Sequence, residues 1–238
     1  MSFPALSNDG EFLQLLSLNE ALNCLGGRDD DHKNHFTTRM LLLLESRPMY
    51  NSDVYWLSIK RIVESYFRDY PDHVTDFRPI FLVNDICRFW KTLCLNYEHK
   101  RNQPATDEIK KRKQKIKNFK LKFSRMLTCF ASIIYLTTFK EPIKHIDVKN
   151  MIEMTPTERL IYVSEVRHDL ADDVSRALDE YLWFLEKTGL STDNLHEWFS
   201  DKENVGNAFA RADKFGGTLF SLLRGTSEAN DYMRYIVI

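Results

Sequence analysis

Apolar side chains recur at intervals of three and four residues along most of this chain, and seven prolines interrupt the pattern. Such spacing places apolar groups on one face of a helix, whereas a half-buried strand would alternate at every second residue. The sequence therefore predicts an all-α fold, a multi-helix bundle with long central helices. Residues 11–16, which follow Asp9-Gly10, allow at most a short N-terminal strand remnant.

Prolines and capping residues set the predicted helix boundaries. Asn34 and the acids at 29–31 are expected to cap the first helix. The predicted helices span 36–45, 51–70, 80 to about 100, 106 to about 138, 155–166 and 170–187, with two or three shorter ones in 193–238. The predicted organisation is an N-terminal segment, residues 1–30, followed by a helical bundle, residues 31–238, with a second boundary expected near 142–156.

Glycine is scarce: the chain has 8, and none lies between Gly27 and Gly189. Phosphate-binding loops need glycine where the backbone turns tightly or approaches the phosphate. A Walker loop or a Rossmann fingerprint is therefore excluded from most of the chain. The sequence also lacks a secretory signal pattern and a long apolar run, so we expect a cytoplasmic protein with no membrane contact.

A polar stripe is predicted on the helix that begins near residue 80. Asn84, Asp85, Arg88, Lys91 and Thr92 recur at three and four along an otherwise apolar helix. Charged groups that face a core need a partner or a solvated cleft. One interpretation is that Asp85 and Arg88 pair with each other or with a neighbouring helix; the other is that the stripe lines a cavity for a polar or anionic ligand.

The near-zero net charge of −1 conceals a strong separation of charge. Residues 108–125 hold nine basic side chains and one acid, which leaves 24 basic and 33 acidic residues elsewhere. Apolar residues share helical spacing with them, so the segment is predicted to be an amphipathic helix with a basic face. Such a face attracts phosphates or acidic protein surfaces, or is simply solvated. The aromatic residues lie on its packing face, which makes nucleic-acid binding an unlikely function.

No catalytic residue is identified. Asp29-Asp30-Asp31-His32 and His35 have the residue types of a metal site, but side chains at such a junction more often cap a helix. The seven histidines form no H-E-x-x-H pattern, and there is no G-x-S-x-G pattern for a serine nucleophile.

Four stretches of the chain resemble a known family: residues 36–51, 77–102 and 117–127 and the ending 232–238. They are similar to the helical C-terminal portion of bacterial nucleotidyltransferase-domain proteins, which are distantly related to protein-PII uridylyltransferase. In that family a separate palm domain carries a Gly-Ser turn and paired aspartates that hold Mg²⁺ with the nucleoside triphosphate. This chain has no Gly-Ser dipeptide, and Asp29–Asp31 precedes a predicted helix. The resemblance thus implies the helical half without the catalytic half, and Mg²⁺ with NTP as cofactors only if the chain does transfer nucleotides.

The resemblance also places the candidate site. The helical bundle of the related enzymes closes over the palm, so it implies that a set of polar residues on the two central helices faces that cleft and binds a ligand. These residues are Asn84, Asp85, Arg88, Lys91, Tyr97, Lys100, Lys120, Lys122 and Arg125.

Three functions follow as hypotheses. The first is a non-catalytic nucleotidyltransferase-like module that binds a nucleotide, another acidic ligand or a partner domain through the stripe and the basic helix. The second is a nucleotidyltransferase, complete or working with a separately encoded catalytic domain. The third is the regulatory or neutralising partner in a bacterial two-gene system.

Overall fold

The computed structural model describes residues 17–102, 107–140, 142–229 and 231–236. Within these ranges all the regular secondary structure is helical, which confirms the all-α prediction. No helix among them is apolar over a length sufficient to cross a bilayer. The strand considered at residues 11–16 falls outside the described ranges.

The contacts divide the chain into two compact units, with the boundary between Ser65 and Tyr66. The predicted boundaries at residue 30 and near 142–156 stay predictions. The described part of the first unit contains four helices, and the last of them ends one residue past the boundary, at Tyr66. These are α1 (Leu18–Asn23), α2 (Arg28–His32), α3 (His35–Leu44) and α4 (Ser52–Tyr66).

The predicted cap of α3 is wrong. Asn34 occupies the N-cap position, but its φ is +59° and its side chain makes no capping hydrogen bond. The acids at 29–31 belong to the separate short helix α2. Inside the same unit Asp30 accepts two hydrogen bonds from Arg39, at 2.6 and 2.8 Å, with both side chains fully buried. Asp30 therefore forms a buried ion pair with Arg39 and does not cap α3.

The second unit contains the two long central helices that the sequence predicts. A π-helical segment, Leu121–Arg125, joins α6 to α7 without a break. Short 3₁₀ turns lie at Tyr70–Asp72 and His168–Leu170. The helices are α5 (Ile80–Arg101), α6 (Glu108–Lys120), α7 (Met126–Thr138), α8 (His145–Glu153), α9 (Pro156–Val166), α10 (Ala171–Thr188), α11 (Thr192–Trp198) and α12 (Lys202–Ala229).

Helix α7 is the centre of this unit and packs against α5, α9 and α12. Eleven of its residues are buried, as expected for a helix that is apolar nearly all round. The fully buried Arg159 of α9 donates from Nε to the carbonyl oxygen of Met151 at 2.8 Å and from Nη1 to Ser132 Oγ at 2.7 Å. These bonds join α7, α8 and α9 through one side chain.

The C-terminal part differs from the predicted two or three shorter helices. It contains one short helix, α11, and the 28-residue α12. Glycines at 216, 217 and 225, interpreted from sequence as helix ends or close-packing points, all lie inside α12. A Cβ atom at Gly225 would come within 2.9 Å of Leu170 Cδ2, so close packing is the role of this glycine.

Candidate functional site

Two residues of the predicted polar stripe, Asp85 and Arg88, are held by hydrogen bonds within the second unit. Asp85 on α5 is only 3% exposed. Its carboxylate accepts a 2.7 Å hydrogen bond from the hydroxyl of Tyr66 and a 3.4 Å bond from Nη1 of Arg88, one helical turn later. A carboxylate can be buried only when such donors replace water. The pairing interpretation therefore describes Asp85 and Arg88 in this structure.

The other stripe residues have separate surroundings. Asn84 Nδ2 donates to the carbonyl oxygen of Tyr235 at 3.0 Å. Lys91 is exposed and Tyr97 is half-buried, and burial raises the pKa of the Tyr97 phenol. The carbonyl oxygen of Lys100 accepts a hydrogen bond from Gln114 Nε2 at 3.4 Å, which brings the end of α5 beside α6.

A cavity of about 570 Å³ opens near the start of α5. None of the predicted ligand-binding residues lines it. Three carboxylates and one guanidinium give its wall an acidic balance, which does not suit a phosphate. The lining residues are Asp69, His73, Asp76, Phe77, Arg78, Ile80, Asp231 and Tyr235.

The basic segment forms the outer face of α6 and of the π-helical segment. Three of its apolar residues, Ile116, Phe119 and Phe123, are buried, and the two phenylalanines have 0% exposure. The ring of Phe123 stacks between Phe184 and Phe215, with both centroid distances at 4.9 Å. This packing holds the π-helical segment at the point where α6 becomes α7.

The π-helical segment changes which basic residues share a face. A π turn takes up about one residue more than an α turn, so the helix beyond it is rotated by roughly 100°. In this register Arg125 follows the line that runs through Lys113, Lys117 and Lys120. All four side chains are exposed. We call these four residues the basic row.

Two other basic residues of the segment are engaged. Lys122, a predicted ligand-binding residue, lies 2.6 Å from Asp213 on α12, and Lys111 lies 2.7 Å from Glu108. By contrast, within the described ranges Lys113, Lys117 and Lys120 make no ion pair. The structure thus brings Lys120 and Arg125 together on one surface. Two other predicted site residues have partners within the chain: Asp85 contacts Tyr66 and Arg88, and Lys122 contacts Asp213.

Comparison with known proteins gives no relative. No protein-family model, no curated protein and no solved structure matches this chain. A function can therefore be inferred only from the residues of this chain and their geometry.

The acids at 29–31, which have the residue types of a metal site, make other contacts. Asp30 is held by Arg39 and also accepts from the backbone N–H of Gly26 at 3.1 Å. Asp29 lies 2.9 Å from Lys33, and this hydrogen bond and the lysine charge lower the pKa of the Asp29 carboxyl. Across the described ranges no three His, Cys, Asp or Glu side chains are grouped so that they could hold a metal ion.

Sequence reasoning selected Lys120 and Arg125 but omitted Lys113 and Lys117 from the candidate site. Counting positions at 3.6 residues per turn puts Lys113, Lys117 and Lys120 on one face, so the first three members were detectable. The position of Arg125 was not, because the π-helical segment depends on the packing of Phe123 against residues far along the chain.

Proposed function

We propose that this chain is a non-catalytic helical module that binds an acidic protein partner through the basic row. The observation that carries the proposal is the alignment of Lys113, Lys117, Lys120 and Arg125 on one exposed helical surface. Its three lysines have no carboxylate partner within the described residues. A row of charges of one sign raises the association rate with an oppositely charged surface and fixes its orientation.

The neighbouring residues favour a protein over a nucleic acid. Ile109 lies one turn before Lys113 and is 53% exposed. The aromatic rings of the same helix, Phe119 and Phe123, are buried and therefore unavailable for stacking on bases. An exposed apolar side chain beside unpaired lysines suits an acidic surface that carries some apolar groups.

The family resemblance in the sequence implies the same class of partner. A separately encoded acidic domain, whether the catalytic domain that the resemblance implies or the other member of a two-gene pair, would meet the module at this surface. The charge on the row would determine how that domain is oriented.

Fluorescence anisotropy with a labelled 20-residue helical peptide that carries glutamates on one face tests the proposal. We expect binding at 50 mM NaCl that weakens strongly at 200 mM, since exposed charges are screened by salt. Lys117→Glu with Lys120→Glu should weaken it by about tenfold, equivalent to about 1.4 kcal/mol.

The matched control is Lys111→Glu with Lys115→Glu, which changes the net charge equally on the opposite side of α6. Equal losses in both variants would show that net charge alone attracts the peptide, and would refute the row. Stronger binding of single-stranded RNA than of the peptide would contradict the choice of partner. Incorporation of radiolabel from any NTP into protein or RNA would contradict the non-catalytic assignment.

A further inference from the structure

A second surface with the opposite charge lies on α10. One side of this helix packs into the second unit through Val174, Ala177, Glu180 and Phe184. The opposite side carries Leu182, which is 58% exposed, together with two further leucines. Leu185 is 46% exposed and Leu178 is partly exposed.

The exposed leucines have the spacing of a coiled-coil seam. Leu178, Leu182 and Leu185 are separated by four and then three residues, and the same spacing continues to Ser175 and Gly189. Alternation of three and four keeps side chains on the line where two helices pack knobs into holes. We call this line the leucine seam. It is about 10 Å long between Leu178 and Leu185 at 1.5 Å per residue.

An acidic row borders the leucine seam on its solvent side. Asp172, Asp179 and Glu186 are spaced by seven residues and each directly follows a seam position, the e position of a heptad. All three are exposed, and none makes an ion pair within the described part of the chain. The g positions on the other side, which include Val174 and Tyr181, face the rest of the second unit.

We propose that the leucine seam docks one amphipathic helix of a partner protein, a helix with an apolar heptad seam flanked by Lys or Arg. The seam supplies apolar area and the acidic row selects basic flanking residues by charge complementarity. Because this surface is acidic and the basic row is not, the inference does not depend on the proposed function.

Charge argues against a second copy of this chain as the occupant. Two antiparallel α10 helices would bring Asp172, Asp179 and Glu186 against the same acids of the other copy, and like charges in contact are repulsive. A parallel pair would need the g positions that already face the helix's own unit. The basic row of another copy has the correct charge, but Ile109 alone would give it little apolar surface for three leucines.

The probe is a labelled four-heptad peptide with Leu at a and d and Lys at e and g, measured by fluorescence anisotropy with the full chain. The first comparison peptide has Glu in place of every Lys, and the second has the Lys peptide's composition in scrambled order. We expect the Lys peptide to bind and the other two to bind at least about tenfold more weakly.

Two variants of the chain separate the roles of the seam and the acids. Leu182→Ser with Leu185→Ser should reduce binding of the Lys peptide by about tenfold or more, since both side chains would lose their apolar contact. Asp179→Lys with Glu186→Lys should reverse the preference, so that the Glu peptide binds more tightly than the Lys peptide. Ile161→Ser, an exposed apolar residue on α9, is the matched control and should leave binding unchanged.

The leucines are exposed, so the variants should unfold at the same temperature as the parent chain, which excludes misfolding as the cause. The proposal is overturned if the scrambled or Glu peptide binds as tightly as the Lys peptide, or if no peptide binds. It is also overturned if sedimentation shows a dimer of the chain that Leu182→Ser with Leu185→Ser dissociates, because the occupant would then be a second copy.

Discussion

The hydroxyl of Tyr66 lies 2.7 Å from the carboxylate of Asp85, a group that is 3% exposed. Both residues belong to the second unit, in which Tyr66 is the first residue and Asp85 lies in the second turn of α5. Together with Arg88, Tyr66 replaces the water that Asp85 loses on burial. The polar stripe thus has a structural role at its centre, whatever its other members bind.

Replacing Tyr66 by Phe removes one donor from a buried carboxylate and keeps the ring. We expect the free energy of unfolding to fall by about 1.5–3 kcal/mol, the range for hydrogen bonds to charged groups. Urea denaturation would measure the loss. The same change in an Asp85→Asn background should cost less, because the charge is gone, and equal costs in the two backgrounds would contradict the charged bond.

Glu180 gives a prediction for pH. Burial raises the pKa of its carboxyl, but hydrogen bonds from Lys214 and Arg211, at 2.9 and 2.6 Å, outweigh burial and hold the pKa below its ordinary value. A carboxylate with a lowered folded-state pKa stabilises the fold above its unfolded-state pKa. That contribution is lost as pH falls through the folded-state pKa.

We therefore expect Glu180→Gln to lower the free energy of unfolding by about 1–3 kcal/mol at pH 7. The difference between the parent and the variant should shrink as pH is lowered through the acid range, below the ordinary glutamate pKa. Thermal unfolding across pH 3–7 would show it. A constant difference down to pH 3 would contradict a contribution from the charge of Glu180 that is lost in this range.

Glycines inside α12 differ in what surrounds them. A Cβ atom at Gly217 would meet nothing within 4 Å, whereas one at Gly225 would lie 2.9 Å from Leu170 Cδ2. Gly217→Ala should raise the free energy of unfolding by about 0.5–1 kcal/mol through helix propensity. Gly225→Ala should gain less or become destabilising, because Leu170, itself only 9% exposed, must move. Equal gains in thermal unfolding would contradict the close packing.

Local signals in the sequence were enough to place most of the helices. Pro79 precedes α5 and Pro156 opens α9, where Thr155 and Glu158 form a capping box. The 3.6-residue period predicted one long helix from residue 106 to about residue 138, with its buried face. These features depend on neighbours three or four residues apart, which a sequence displays directly.

What the sequence did not predict depends on residues far apart in the chain. Lys122 pairs with Asp213, 91 positions away, and the ring of Phe123 stacks on Phe215. Neither the spacing nor the composition of the sequence indicates that Asp213 and Phe215 are the contacts of these two residues. The π-helical segment, and with it the alignment of Arg125 in the basic row, follows from such packing and could be seen only in the structure.

The pair Asp30 and Arg39 has fully buried side chains, so its members should tolerate single replacement poorly. Asp30→Asn or Arg39→Met would leave the other charge without its partner, and we expect a loss of about 3–5 kcal/mol in either variant. Replacing both residues, Asp30→Asn with Arg39→Met, removes both charges and should cost clearly less than the sum of the single changes. Lys33→Met, which breaks the exposed pair with Asp29, is the control and should leave the free energy of unfolding nearly unchanged, because water screens exposed charges. Additive losses at Asp30 and Arg39 in urea denaturation would show that the two side chains stabilise the first unit independently, against the paired geometry.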